Sequence, residues 1–154
     1  MKESLKYFLE RTTPFGTLAR LQRNRQLIKK LRKWEKNGAV LPMPNLGKQM
    51  VVREYINKFS PEVFIETGTY KGQMVYAVIP CIKEIYSIEL DQRYFEKAER
   101  RFAGYDNIHI IQGQNGEVLS EILKNIDKSC LFWLDAHWSG GLTFQGQNSN
   151  SYSV

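Results

Sequence analysis

Glu66, Gly68, Gly72 and Glu89 are the residues of this chain whose types and spacing specify a chemistry. The apolar run Val63-Phe64-Ile65 leads into the carboxylate Glu66, and two glycines four residues apart, Gly68 and Gly72, then precede an apolar helical pattern. This predicts a strand entering a tight turn that opens a helix, the usual seat of a nucleotide-like ligand in an α/β sheet. Twenty-three residues beyond Glu66, a second apolar run, Ile85-Tyr86-Ser87-Ile88, ends on Glu89. A carboxylate there can accept from both hydroxyls of a ribose at once. The expected ligand therefore contains a nucleoside.

The turn itself narrows the choice. Dinucleotide folds place a glycine in the middle of the turn so that the backbone can approach a pyrophosphate on the helix N-terminus. Here Tyr70 takes that place and would crowd a pyrophosphate, and Glu66 would repel one. The same acid suits a ligand that carries an ammonium and a sulfonium group. The order Glu66-Thr67-Gly68-Thr69-Tyr70-Lys71-Gly72 resembles motif I of the class I S-adenosylmethionine-dependent methyltransferases. Tyr86-Ser87-Ile88-Glu89-Leu90 is similar to that family's second-strand acid. Leu131-Phe132-Trp133-Leu134-Asp135-Ala136-His137 is similar to its fourth strand, which ends on an Asp at the catalytic face. The resemblance covers roughly residues 47–143.

The resemblance implies S-adenosylmethionine as cofactor, with Glu66 at its amino-acid end, Gly68, Thr69, Tyr70 and Gly72 forming the turn beneath it, and Glu89 on its ribose. It also implies an adenine contact after the third strand, from Gln114 or its neighbour Asn115. The family often has an acid there; an amide oxygen accepts the same bond without the charge. Asp135 would face the transferred methyl group or its acceptor. His137 would be a general base for an acceptor hydroxyl, since imidazole titrates near neutrality. Some small-molecule O-methyltransferases hold a divalent metal at the Asp135 position, but their other ligands follow a fifth strand not found here, so no metal is expected. Methyl transfer itself needs alignment and, for a hydroxyl acceptor, a base. Few side chains are required, and the acceptor is therefore not named by the sequence.

The elements that must position these residues alternate. Strands are expected at 63–67, 85–88, 108–112 and 131–134, with helices at 73–79, 91–102 and 117–125 between them. Asp91 is expected to cap its helix, and His109 to be an ordinary strand residue. Four strands joined through helices of about ten residues imply parallel pairing. The fold class is thus α/β, a Rossmann-like parallel sheet with flanking helices, incomplete at about four strands. Before it, residues 1–46 form a basic helical extension and linker: a weak helix at 1–12, a break at Pro14 and Gly16, a helix from Thr17 to Asn37-Gly38, then Pro42 and Pro44. A further helix is expected over 48–59, opening a cofactor-binding domain that runs over 47–143. Residues 144–154 lack apolar period and read as a polar disordered tail.

Composition sets outer limits. At 154 residues and 42% hydrophobic content the chain can bury one real core. It has no apolar run long enough to span a membrane and no secretory signal pattern, so the cytoplasm is the default. Cys81 and Cys130 have no metal-ligand spacing with His109 or His137 and suit a reducing compartment. The net charge of +6 is uneven: residues 1–38 hold eleven Lys or Arg against three Glu, and the remainder is −2. The basic helix lacks interleaved aromatic rings, its Leu18, Leu21, Ile28 and Leu31 need burial, and a nucleic-acid partner is not expected.

The resemblance implies truncation after the fourth strand. Strand 131–134 would then be an apolar edge without protecting charge or proline, open to self-association. Two rivals stand beside an active methyltransferase: a non-catalytic remnant that binds the cofactor weakly or not at all, and another nucleotide-dependent Rossmann enzyme such as a dehydrogenase.

Overall fold

The computed structural model describes residues 14–135, with side chains from Leu21 onward. The expected helix at 1–12, the residues at 136–154 and with them His137 and the polar tail lie outside the described residues. The chain divides between Val51 and Val52 into two compact units.

In the first unit, helix α1 spans Pro14–Lys36 and starts three residues before the expected Thr17. Pro14 is its first residue rather than a break, because proline's missing N–H falls among the first-turn donors that have no helical partner. Asn37 and Gly38 donate back to the carbonyls of Lys33 and Glu35, both at 3.1 Å, and end the helix with Gly38 at φ 84°. The Trp34 indole donates to the carbonyl of Val40 at 2.6 Å and ties down the exit. Helix α2, Asn45–Phe59, begins in this unit and crosses into the second.

The second unit is a four-stranded parallel sheet of order β3-β2-β1-β4, made of β1 (Val63–Thr67), β2 (Glu84–Glu89), β3 (Ile108–Gln112) and β4 (Cys130–Leu134). Helices α3 (Gln73–Val78), α4 (Gln92–Phe102) and α5 (Asn115–Leu123) connect the strands. Strands of a parallel sheet read as near-continuous apolar runs when both faces are covered, and β1 is buried along its whole length. On one face Phe64 and Ile85 pack with Val52 and Ile56 of α2, Val75 and Val78 of α3, and Ala98 and Phe102 of α4. On the other face Val63, Ile65 and Ile88 pack with Ile122 of α5. That second face thins toward β4, where Phe132 is 41% and Leu134 63% exposed. Among the described residues β4 pairs only with β1, so its outer backbone groups form the sheet edge.

The chain runs outward from β1 to β2 to β3 and returns to the other side of β1 for β4. The carboxyl ends of β1 and β4 therefore flank a reversal of strand order, where open α/β sheets hold their ligands. Gly72 makes the close approach this turn requires. It has φ 63°, and a Cβ there would meet the Phe102 ring at 2.7 Å. Gly72→Ala combines backbone strain with overpacking against a buried ring. It is expected to cost about 2–4 kcal/mol, read as a lower urea midpoint at an unchanged slope.

Candidate functional site

The turn after β1 is built on the end of β2. The N–H groups of Gly68 and Thr69 donate to the Ile88 carbonyl at 2.8 and 3.3 Å, and Gly72 N–H closes on the Thr69 carbonyl at 2.7 Å. Gly68 and Tyr70 both take positive φ, 87° and 47°. Glycine adopts that region freely and tyrosine does not, so Tyr70 is held there by its surroundings. Its N–H donates to Glu89 Oε2 at 2.6 Å, and its ring rests against Tyr94 with centroids 4.7 Å apart.

Beneath the turn lies a buried polar chain. Glu66 is 2% exposed and faces Ser87, its register partner across the β1–β2 ladder. Ser87 Oγ donates to Glu66 Oε1 at 2.6 Å, and Thr69 Oγ1 lies 2.6 Å from the same Ser87 Oγ. Burial pushes the Glu66 carboxyl up to about 8; the bond from Ser87 opposes this, and the negative charges of Glu89 and Asp135 add to it. Thr69, expected in the ligand-binding turn, thus uses its hydroxyl below the turn. Ser87 is a member of this site that the sequence does not single out. Its only signal there is a small polar residue inside an apolar strand, and only the pairing register sets it opposite Glu66.

Glu89 ends β2 at 7% exposure and is already engaged. Its Oε2 receives Tyr70 N–H and its Oε1 receives Asp91 N–H at 3.0 Å. Each carboxylate oxygen has a further lone pair, so acceptance from two ribose hydroxyls is compatible with these bonds. Asp91 caps α4: Oδ1 accepts from the N–H groups of Arg93 at 2.8 Å and Tyr94 at 3.3 Å. The Arg93 side chain and these cap bonds hold the Asp91 carboxyl below its usual range against the opposing effect of burial.

After β3, Gly113 N–H donates to the Glu89 carbonyl at 3.1 Å and brings the third connection beside the second. Gln114 occupies the position before the first residue of α5, with extended backbone and no side-chain cap bond. The adjacent Asn115 has a buried side-chain oxygen, Oδ1, with no hydrogen-bond partner. An unsatisfied buried acceptor is costly in a native protein, and a ligand donor such as an exocyclic amino group would satisfy it. Asp135 follows directly after β4 and is half-buried, close enough for its charge to act on Glu66. The structure thus brings Glu66, Glu89 and Asp135 to one end of the sheet. His137 lies outside the described residues.

Other polar groups lie elsewhere. His109 stacks on Tyr86 with centroids 4.6 Å apart, and its Nε2 is 3.4 Å from Glu84, at the start of β2 and away from the turn. A surface depression of about 340 Å³ lined by Lys30, Lys33, Trp34, Asn37 and Val40 belongs to the first unit and has no carboxylate in its lining. Among the described residues no cluster of His, Cys, Asp or Glu could hold a metal ion, and no helix is long and apolar enough to cross a membrane.

No protein-family model and no curated protein matches the chain. Solved structures do. An SAH-bound methyltransferase from Podospora anserina, PaMTH1, superimposes with a TM-score of 0.51 at 18% identity, over 67% of this chain and 47% of that one. An O-methyltransferase from Bacillus cereus in complex with SAH gives a TM-score of 0.52 at 11% identity, over 72% of this chain and 54% of that one. The likeness establishes the shared fold, a Rossmann-like α/β sheet. The chain spans about half the length of these structures.

Proposed function

We propose that this chain forms the cofactor-binding part of an S-adenosylmethionine-dependent methyltransferase. The observation that carries the reading is the convergence of Glu66, Glu89 and Asp135 around a glycine turn where the strand order reverses. The negative charges of Glu89 and Asp135, with Glu66 able to ionise beside a cation, favour a cationic nucleoside and oppose a pyrophosphate, which argues against the dehydrogenase alternative. The residues present fit the cofactor. Glu89 has acceptor capacity for the ribose hydroxyls, Asn115 Oδ1 lacks a donor that the adenine amino group would supply, and Glu66 lies under the turn where a positive amino-acid end would rest. When bound, the cofactor supplies a methyl group already activated by its sulfonium. The chain's own task is then to hold the ligand in line and, at Asp135 and His137, to face the acceptor and take its proton. A hydroxyl acceptor, on a small molecule or saccharide, suits a base of that type. A cytoplasmic location agrees with the two unpaired cysteines, Cys81 and Cys130.

Ligand-dependent melting tests the reading. A ligand that binds only the folded state stabilises it by about 2.7 kcal/mol at a hundredfold excess over its dissociation constant. S-adenosylhomocysteine is expected to raise the melting temperature progressively with concentration, and NAD to leave it nearly unchanged. The reverse ranking would favour the dehydrogenase. Response to neither would favour the non-catalytic remnant.

A further inference from the structure

We propose that helix α1 docks on an anionic lipid surface through a stripe formed by Arg25, Lys29, Arg32, Lys33 and Lys36. The helix holds eight Lys or Arg against one Glu over Pro14–Lys36. At about 100° per residue, the five named residues fall within an arc of about 100° on one face. All five are exposed. They extend over about 16 Å of helix axis, enough to meet several headgroups at once. The opposite face carries the exposed Arg23 and Lys30 but also the side chains that pack into the helix's own unit. There Leu27, Leu31 and Trp34 are partly buried, Leu31 lies close against Gly47, and the Trp34 indole is held by the Val40 carbonyl. The stripe therefore faces away from the packing that holds α1 in place.

The neighbours of the stripe decide between anionic partners. Leu21 and Ile28, one heptad apart along its border, are 51% and 42% exposed. A basic face bordered by aliphatic side chains matches a bilayer interface, where the cations meet phosphates and the aliphatic groups enter the acyl boundary. A nucleic acid offers nothing to isolated aliphatic chains. It rewards stacked rings instead, and Trp34 lies on the opposite face, tied to Val40. The helix would lie on the surface, not cross it.

Co-sedimentation of the full chain with phosphatidylcholine vesicles, with and without phosphatidylserine, tests this. Binding is expected only with phosphatidylserine, and to fall steeply as salt rises. The triple variant Lys29→Glu, Arg32→Glu, Lys33→Glu is expected to lose about a hundredfold or more in partitioning, from three reversed charges. Leu21→Ser with Ile28→Ser is expected to weaken vesicle binding several-fold while leaving retention on heparin unchanged. Both variants alter exposed positions, so an unchanged circular dichroism spectrum and melting temperature serve as the folding control. Equal partitioning into neutral and anionic vesicles would overturn the proposal. So would wild-type behaviour of the triple variant, or displacement from vesicles by a duplex oligonucleotide whose own binding ignores Leu21 and Ile28.

Discussion

Glu89→Ala is expected to weaken S-adenosylmethionine binding more than tenfold and to lower the melting temperature even without ligand. Both effects come from one carboxylate. Its two oxygens anchor Tyr70 N–H and Asp91 N–H, at 2.6 and 3.0 Å, so truncation releases the turn after β1 and the entry to α4 together. The remaining lone pairs are those assigned to the ribose, and a hydrogen bond to a charged group contributes about 1.5–3 kcal/mol. Asp91→Ala is the matching control. It removes the α4 cap, worth about 1 kcal/mol, but leaves the Glu89 carboxylate in place. Calorimetric titration of the two variants separates the roles. Equal losses of affinity would mean that Glu89 supports the turn and does not touch the ribose.

Glu66 is expected to make stability fall as the pH rises from about 4.5 toward about 8. The sign follows from proton binding. Burial raises the folded-state value from 4.5 to about 8, so over that window the native state holds a proton that the unfolded chain has released. Glu66's contribution is complete below the lower value, declines through the window and levels off above about 8. Each tenfold difference in proton affinity between the folded and unfolded chain corresponds to about 1.4 kcal/mol, so the total effect is on the order of a few kcal/mol. Glu66→Gln keeps an acceptor for the Ser87 hydroxyl and cannot ionise, and is expected to abolish the slope. Urea midpoints at pH 6 and pH 8 for both proteins decide it; parallel pH profiles would show that Glu66 is already ionised in the native state. In the wild type, affinity for S-adenosylmethionine should also rise with pH over this range. S-adenosylhomocysteine, which lacks the sulfonium, should show a smaller rise, and Glu66→Gln should remove the difference between the two ligands.

Much of this architecture is legible along the chain because its signals are local. Val63–Thr67, Glu84–Glu89, Ile108–Gln112 and Cys130–Leu134 are apolar runs that end in polar residues or turns, and all four expected strands form. Helix boundaries are less legible. α5 begins at Asn115, two residues before the expected start, since Gly116 is tolerated in a first turn. Likewise α1 begins at Pro14, a residue that reads as a break unless its place in the first turn is known.

The order of the site's parts can be read from residue types alone: an acid, a glycine turn, a second acid at ribose distance and a later Asp, each placed by the end of an apolar run. Periodicity and turn chemistry act between near neighbours, so they survive in a linear reading. What those acids touch depends on the folded arrangement of the strands. The β1–β2 register sets Glu66 against Ser87, closure of the turn brings Tyr70 N–H onto Glu89, and the return of β4 to the far side of β1 adds the charge of Asp135. Each of these joins residues about twenty or more positions apart. No local propensity specifies such pairs; they are selected by the joint burial of both faces of the sheet, which admits one register and places the carboxylates at one end.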